Sequence, residues 1–384
     1  MQAAHTEHAP APGRHRRARL ALALAAAAAI AAASLTPAGA EVGDWIGEVV
    51  SPAPEADGPG LSSLPAPGRL LVVADDGPWV VSDDGSKRRL GGYRDATWSP
   101  GGLYVAAARG RELVALEPGD GTIRWTRPAP GRVATPRWSS DGYRIAYRSG
   151  RDLFVAFGDN ARAWRLARGA LATAPAWRPD RPPGRQVLAF ARGRRIRIVE
   201  VDSRRVFGVT APGPVPRELW WSGARLAAVA AREVRVYGAR GGLLHRLPLP
   251  AGLLVAGSAL DSGKGRLAVA ASRGNRASSE LLLYRVAENR PPRRLFAGPG
   301  PIEGLAWSMD GRVLTIGRPR ADQWVFVRPR GGPFEVASGI RGQFNGGLPA
   351  RTGAFPRPAG WCYREPAAQG ERSLPCSTGA APSG

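Results

Sequence analysis

Residues 96–107 read ATWSPGGLYVAA, and residues 136–147 read PRWSSDGYRIAY. Each stretch places a Trp, a small polar residue, a glycine turn and then an aliphatic run, with the two Trp residues 40 positions apart. The same order returns at Trp177 (WRPDRPPGRQVLAFA), Trp221 (WSGARLAAVAA) and Trp307 (WSMDGRVLTIG), with Leu260 in the Trp place of LDSGKGRLAVAA. A further unit at 68–90, GRLLVVADDGPWVVSDDGSKRRL, carries the later part of the pattern without the Trp.

Each unit divides into four short strands. The Trp closes the first, a Ser-Pro-Gly or Ser-Asp-Gly element turns the chain, and an aliphatic second strand follows, such as YVAAA or RIAYR. A third strand such as ELVALE or DLFVAF leads through a last turn to an outer strand such as TIRWTR or LLHRLP. Four antiparallel strands in about forty residues, repeated, is the signature of a β-propeller blade. The expected fold class is all-β, a propeller of seven four-stranded blades, with six blades as the alternative if the first unit is a partial cap. Composition agrees, because 50 Gly and 36 Pro leave little room for helices. Residues near 341–356 are expected to supply the first strand that unit one lacks and so close the ring. One blade cannot cover both of its faces, so Trp98, Trp138, Trp177, Trp221 and Trp307 are read as structural anchors filling the blade contacts.

The W-S-P-G-G and W-S-S-D-G turns, followed by an aliphatic strand and a strand of the type DLFVAF, resemble the WD-like repeats of TolB-type propellers. Similar repeats form the propeller of prolyl oligopeptidase-type proteins. The resemblance covers about residues 68–340 and implies a propeller fold.

The flanks carry other signals. Arg14, Arg16, Arg17 and Arg19 precede an uncharged run, LALALAAAAAIAAASL, and Ala38-Gly39-Ala40 offers the small residues of a cleavage site, so 1–40 reads as a signal peptide. An uncleaved signal anchor is the other reading of this run. The expected organisation is 1–40 signal, 41–67 N-terminal segment (with DWIGEVV) and Pro/Gly-rich linker, 68–340 propeller, and 341–384 closing segment and tail. The mature chain is then secreted or extracytoplasmic, with no membrane span after cleavage, and is expected to be monomeric. Outside the cytoplasm the only two cysteines, Cys362 and Cys376, read as a disulfide.

The chain carries +23, and removing the four Arg and one Glu of 1–40 leaves about +20. Nearly all of this charge is arginine, since Lys87 and Lys264 are the only lysines. In the blade reading every turn between second and third strands falls on one face of the disc. Those turns hold Arg109, Arg111, Arg148, Arg151, Arg192, Arg194, Arg232, Arg273, Arg276, Arg318 and Arg320, and only unit one breaks the series, with Asp75 and Asp76. A basic face of guanidinium forks suits carboxylates and phosphates. The expected partner is an acidic protein or an envelope polyanion, with no specific nucleic acid.

Catalytic motifs are absent: no G-x-S-x-G, no H-E-x-x-H, no phosphate loop and no Cys-x-x-Cys occurs. His245 is the only His beyond residue 15 and falls on an outer strand. Asp75-Asp76-Gly77 and Asp83-Asp84-Gly85 flank one strand and read as turns. No catalytic residue, no metal and no cofactor is expected. The leading expectation is a non-catalytic binding scaffold, and the alternative is a lactonase-type propeller hydrolase with a site in the channel.

Overall fold

The computed structural model describes residues 59–170, 173–179, 185–344, 354–363 and 376. Residues 1–40, read from sequence as a signal peptide, the DWIGEVV stretch and the Arg181-Pro182-Pro183 insertion lie outside the described residues. The strands form seven antiparallel sheets of four strands each, the seven blades of a propeller. Blade 2 is typical: Asp95–Trp98, Val105–Arg109, Glu112–Leu116 and Ile123–Pro128 lie side by side in chain order. The first strands of successive blades touch one another and surround the central channel. They are Val133–Trp138, Ala176–Trp177, Glu218–Ser222, Leu253–Asp261 and Glu303–Trp307 in blades 3 to 7.

Blade 1 is assembled from both ends of the chain. Arg69–Ala74, Gly77–Val81 and Lys87–Arg89 supply three strands, and Arg357–Cys362 pairs with Arg69–Ala74 as the inner one. The closing strand therefore lies just beyond the 341–356 expected from sequence. The pairing register sets Trp361 opposite Leu70, as Trp98 stands opposite Val105 and Trp307 opposite Leu314. Trp361, with no exposed surface, is thus the anchor that unit one lacked.

The recurring Trp-Ser-x-x-Gly spelling has three separate physical causes. The Trp fills the blade boundary and its indole N–H donates to a carbonyl of the preceding blade: Trp98 to Gly360, Trp177 to Arg137, Trp221 to Ala176 and Trp307 to Ala259, at 2.8–3.2 Å. Each of these acceptors sits one residue before the preceding blade's own anchor. Trp138 packs in the same place, but its Nε1 finds no acceptor. The Ser folds back on its own turn: Ser99, Ser139 and Ser308 each accept, on Oγ, the backbone N–H five residues ahead, at 2.9 Å. The Gly takes positive φ, 72° at Gly102, 74° at Gly142 and 61° at Gly311, where a side chain would be strained.

Residues 59–67, read from sequence as linker, are packed instead. Leu61, Leu64 and Ala66 are buried with Trp324, Phe344 and Trp361 in one core cluster. The Leu64 N–H donates to Asp83 and the Leu61 N–H to the Gln343 side chain. The Pro and Gly residues keep the segment extended, and its three apolar side chains give it a face to bury. Asp75–Asp76 and Asp83–Asp84 stand at opposite ends of the Gly77–Val81 strand, and Asp76 accepts the Trp79 indole N–H. Cys362 and Cys376 are joined as a disulfide. No helix among the described residues is long and apolar enough to cross a membrane.

Two measurements check the closure. Trp361→Ala is expected to cost roughly 3–5 kcal/mol in a urea titration, the usual range for truncating a buried large aromatic; a loss under about 1 kcal/mol would place the closing strand outside the cooperative unit. Reducing Cys362–Cys376, whose sequence separation is 14, is expected to remove about 3 kcal/mol more in the same titration.

Candidate functional site

The inner strands all run in one direction, so the channel has two chemically different mouths. One gathers the turns between second and third strands together with the starts of the inner strands. The other gathers the Trp-Ser-Gly turns at the inner strands' ends. Leu253–Asp261 spans both: Leu254, Val255, Ala256 and Gly257 line the first mouth, and Leu260 and the following Ser262 line the second.

At the first mouth the sequence-predicted arginines divide into groups. In blades 2, 3 and 4 the hairpin is a two-residue Gly-Arg loop, with Gly110, Gly150 and Gly193 at φ of 56–60° and Arg111, Arg151 or Arg194 following. Two of these arginines also fasten the fold. Arg111 donates to the carbonyls of Ala129 and Pro130, and Arg194 donates to the Gly213 carbonyl, each pinning the crossover that leads to the next blade. Arg109 pairs with Glu112 at 2.9 Å and lies over the Tyr93 ring. Arg148 donates to the Gly150 carbonyl, and Arg318 lies over Phe296; burial holds both guanidiniums below their ordinary pKa. Arg151, Arg192, Arg232 and Arg320 are exposed.

Arg273 and Arg276 behave differently. They border a cavity of about 390 Å³ framed by blades 5, 6, 7 and 1, and Arg217 and Arg357 reach the same cavity. Arg217 steadies itself on the Val255 carbonyl at 2.8 Å. Glu303 is the single acidic side chain in the lining, and none of the four arginines makes an ion pair within 4 Å among the described residues. Arg217 and Arg357 stand at the starts of inner strands, not in the hairpin turns whose arginines the sequence aligns. The signal was present at another position, since Arg94, Arg132 and Arg217 each immediately precede an inner strand and Arg357 opens one. His245 is half-buried on the outer strand Leu243–Pro248, as expected.

Deeper in the channel lie three charged side chains that sequence reasoning did not single out: Asp95, Arg137 and Glu218, from blades 2, 3 and 5, each under 10% exposed. Burial raises the Asp95 carboxyl above its ordinary value, opposed by Arg137 and by the Thr135 N–H, which donates to Asp95 at 2.6 Å. Glu218 is pushed from 4.5 to about 7 by burial, opposed by hydrogen bonds from Ser258 and Trp220 and by the charge of Arg137. Ser258 Oγ donates to Glu218 and accepts the Trp220 indole N–H at 2.8 Å. This bridge joins blades 5 and 6, the boundary where Leu260 replaces the anchor Trp. Among the described residues, no three His, Cys, Asp or Glu side chains cluster as a metal site would.

No protein-family profile and no curated protein matches this chain. Solved structures do. A chain of the mitotic checkpoint complex aligns at 17% identity with a TM-score of 0.55, over 72% of this chain and 96% of that one. A functionally unknown protein from Desulfotomaculum acetoxidans aligns at 12% identity and 0.56, over 77% and 99%. The Cps50 (Swd1) β-propeller domain of Myceliophteria thermophila aligns at 12% identity and 0.51, over 64% and 87%. At such identities the likeness is one of fold, the β-propeller named for the last of them.

The raised Glu218 carboxyl has a direct consequence for stability. The folded chain keeps a proton that the unfolded chain releases above about pH 4.5, so this group's contribution is complete below pH 4.5 and lost as pH rises to about 7. The shift corresponds to about 3 kcal/mol. Glu218→Gln is expected to flatten that part of the stability profile, measured by urea titration across pH 4.5–7; an unchanged profile would show Glu218 titrating at its ordinary value.

Proposed function

We propose that this chain is an exported, non-catalytic propeller that holds an acidic macromolecule on the arginine-bearing mouth of its channel. The observation that carries the reading is the cavity of about 390 Å³ where Arg217, Arg273, Arg276 and Arg357 converge against one acid, Glu303. Planar guanidinium forks without carboxylate partners favour carboxylate or phosphate groups supplied from outside. The exposed Arg151, Arg192, Arg232 and Arg320 extend the positive field around the same face and steer an anionic partner toward the mouth. The bonded cysteine pair and the basic, then apolar, N-terminal run support an extracytoplasmic setting. The resemblance of the Trp-Ser-Gly repeats to TolB-type propellers supports a scaffold that works through its surfaces.

The test compares two pairs of substitutions for binding to poly-glutamate and polyphosphate at several salt concentrations. Arg273→Glu with Arg276→Glu is expected to weaken binding at least about tenfold, because both side chains border the cavity. Arg111→Glu with Arg194→Glu is expected to lower stability first, because both side chains anchor crossovers. Equal binding by the wild type and the folded Arg273→Glu/Arg276→Glu protein would refute the proposal.

A further inference from the structure

We propose that the other mouth of the channel is a binding site for a small organic carboxylate with an apolar body, held by the buried guanidinium of Arg137. Arg137 is 9% exposed and lines a pocket of about 130 Å³ at the end of the channel bearing the Trp-Ser-Gly turns. Among the described residues, the one hydrogen bond of its guanidinium runs from Nη1 to the carbonyl of its own neighbour, Pro136, at 2.8 Å. No acidic side chain lies within ion-pair distance among the described residues, although a buried cation is normally matched by an anion. Asp95 and Glu218 act on it only through longer-range charge. Burial raises both carboxyls above their ordinary values, which works against their serving as its counterions.

The walls define the rest of the ligand. Trp138, Trp177, Trp220 and Trp221 line the pocket beside Arg137 and Glu218. Indole faces and edges suit an apolar or aromatic body, and a volume near 130 Å³ holds about one benzene-sized group. A carboxylate seated on Arg137 would complete the ion pair that the fold leaves open. The groups facing Glu218 are Ser258 and Trp220, which hydrogen-bond to it, and Arg137, with Asp95 facing Arg137 from blade 2. A protonated Glu218 does not repel an anion, so binding weakens as pH rises through about 7. This site is independent of the arginine-bearing mouth, and the two can fail separately.

The experiment titrates the whole chain with phenylacetate and with phenylacetamide, its neutral counterpart, following tryptophan fluorescence. Phenylacetate is expected to give a saturable change with Kd below about 1 mM, and the amide to bind at least about tenfold more weakly. Arg137→Met is expected to bring the acid down to the amide's affinity, while Arg273→Glu/Arg276→Glu leaves the titration unchanged. Should Arg137→Met fail to fold, Arg137→Lys keeps the charge, loses the fork, and is expected to lower acid affinity without changing that of the amide. Glu218→Gln is expected to remove the pH dependence. Equal affinity for acid and amide in the wild type, no saturation by phenylacetate, or full binding by Arg137→Met would each overturn the proposal.

Discussion

Each blade of this propeller is a four-stranded sheet with two apolar faces, and it is stable only when another blade covers each face. The indole of the anchor Trp meets that requirement twice over. Its ring occupies the boundary, and its N–H, which is costly to bury unbonded, finds a carbonyl in the preceding blade at four of the boundaries. A residue that only filled space would fix neither the rotation of one blade on the next nor the spacing of the inner strands. The boundary lacking the Trp supports this account. Where blade 6 carries Leu260, Trp220 of blade 5 donates to Ser258 in the opposite direction.

Ring closure follows from the same constraint. Without Arg357–Cys362, blade 1 would present the unpaired edge of Arg69–Ala74 to the channel and leave Trp98 without its Gly360 acceptor. The closing strand therefore links the chain ends through backbone pairing, a buried Trp361 and the Cys362–Cys376 bond. Leu61, Leu64 and Ala66 add a second layer over the seam between blades 7 and 1. Both termini of the described fold converge on this one boundary.

The arginines show how one residue type fills several structural roles on the same surface. Arg111 and Arg194 secure crossovers, Arg109 is neutralised by Glu112, and Arg144 spans to Asp202 at 2.9 Å. A guanidinium donates five N–H groups in a fixed fork, so an arginine-rich chain can use it where other chains use backbone or water. Arg217, Arg273, Arg276 and Arg357 share one cavity with Glu303, and Arg137 is buried without an ion pair among the described residues.

The sequence by itself determined the blade. The forty-residue period, the Trp-Ser-x-x-Gly turn and the four-strand order are local patterns, and local hydrogen bonding and packing carry them into the structure unchanged. That the hairpins between second and third strands share one side was also legible, because hairpins at equivalent positions must emerge together. Tertiary structure alone decided the rest. Trp361 lies 291 residues from its partner Leu70, and no local pattern announces which distant segment completes a sheet. Leu61 and Leu64 look like parts of a Pro-rich linker until the seam offers them a surface. Arg137 and Glu218 belong to ordinary strand sequences, and only the convergence of the inner strands on the channel makes them buried charges. Which arginine is a staple depends on the carbonyls within reach, and the fold sets that distance.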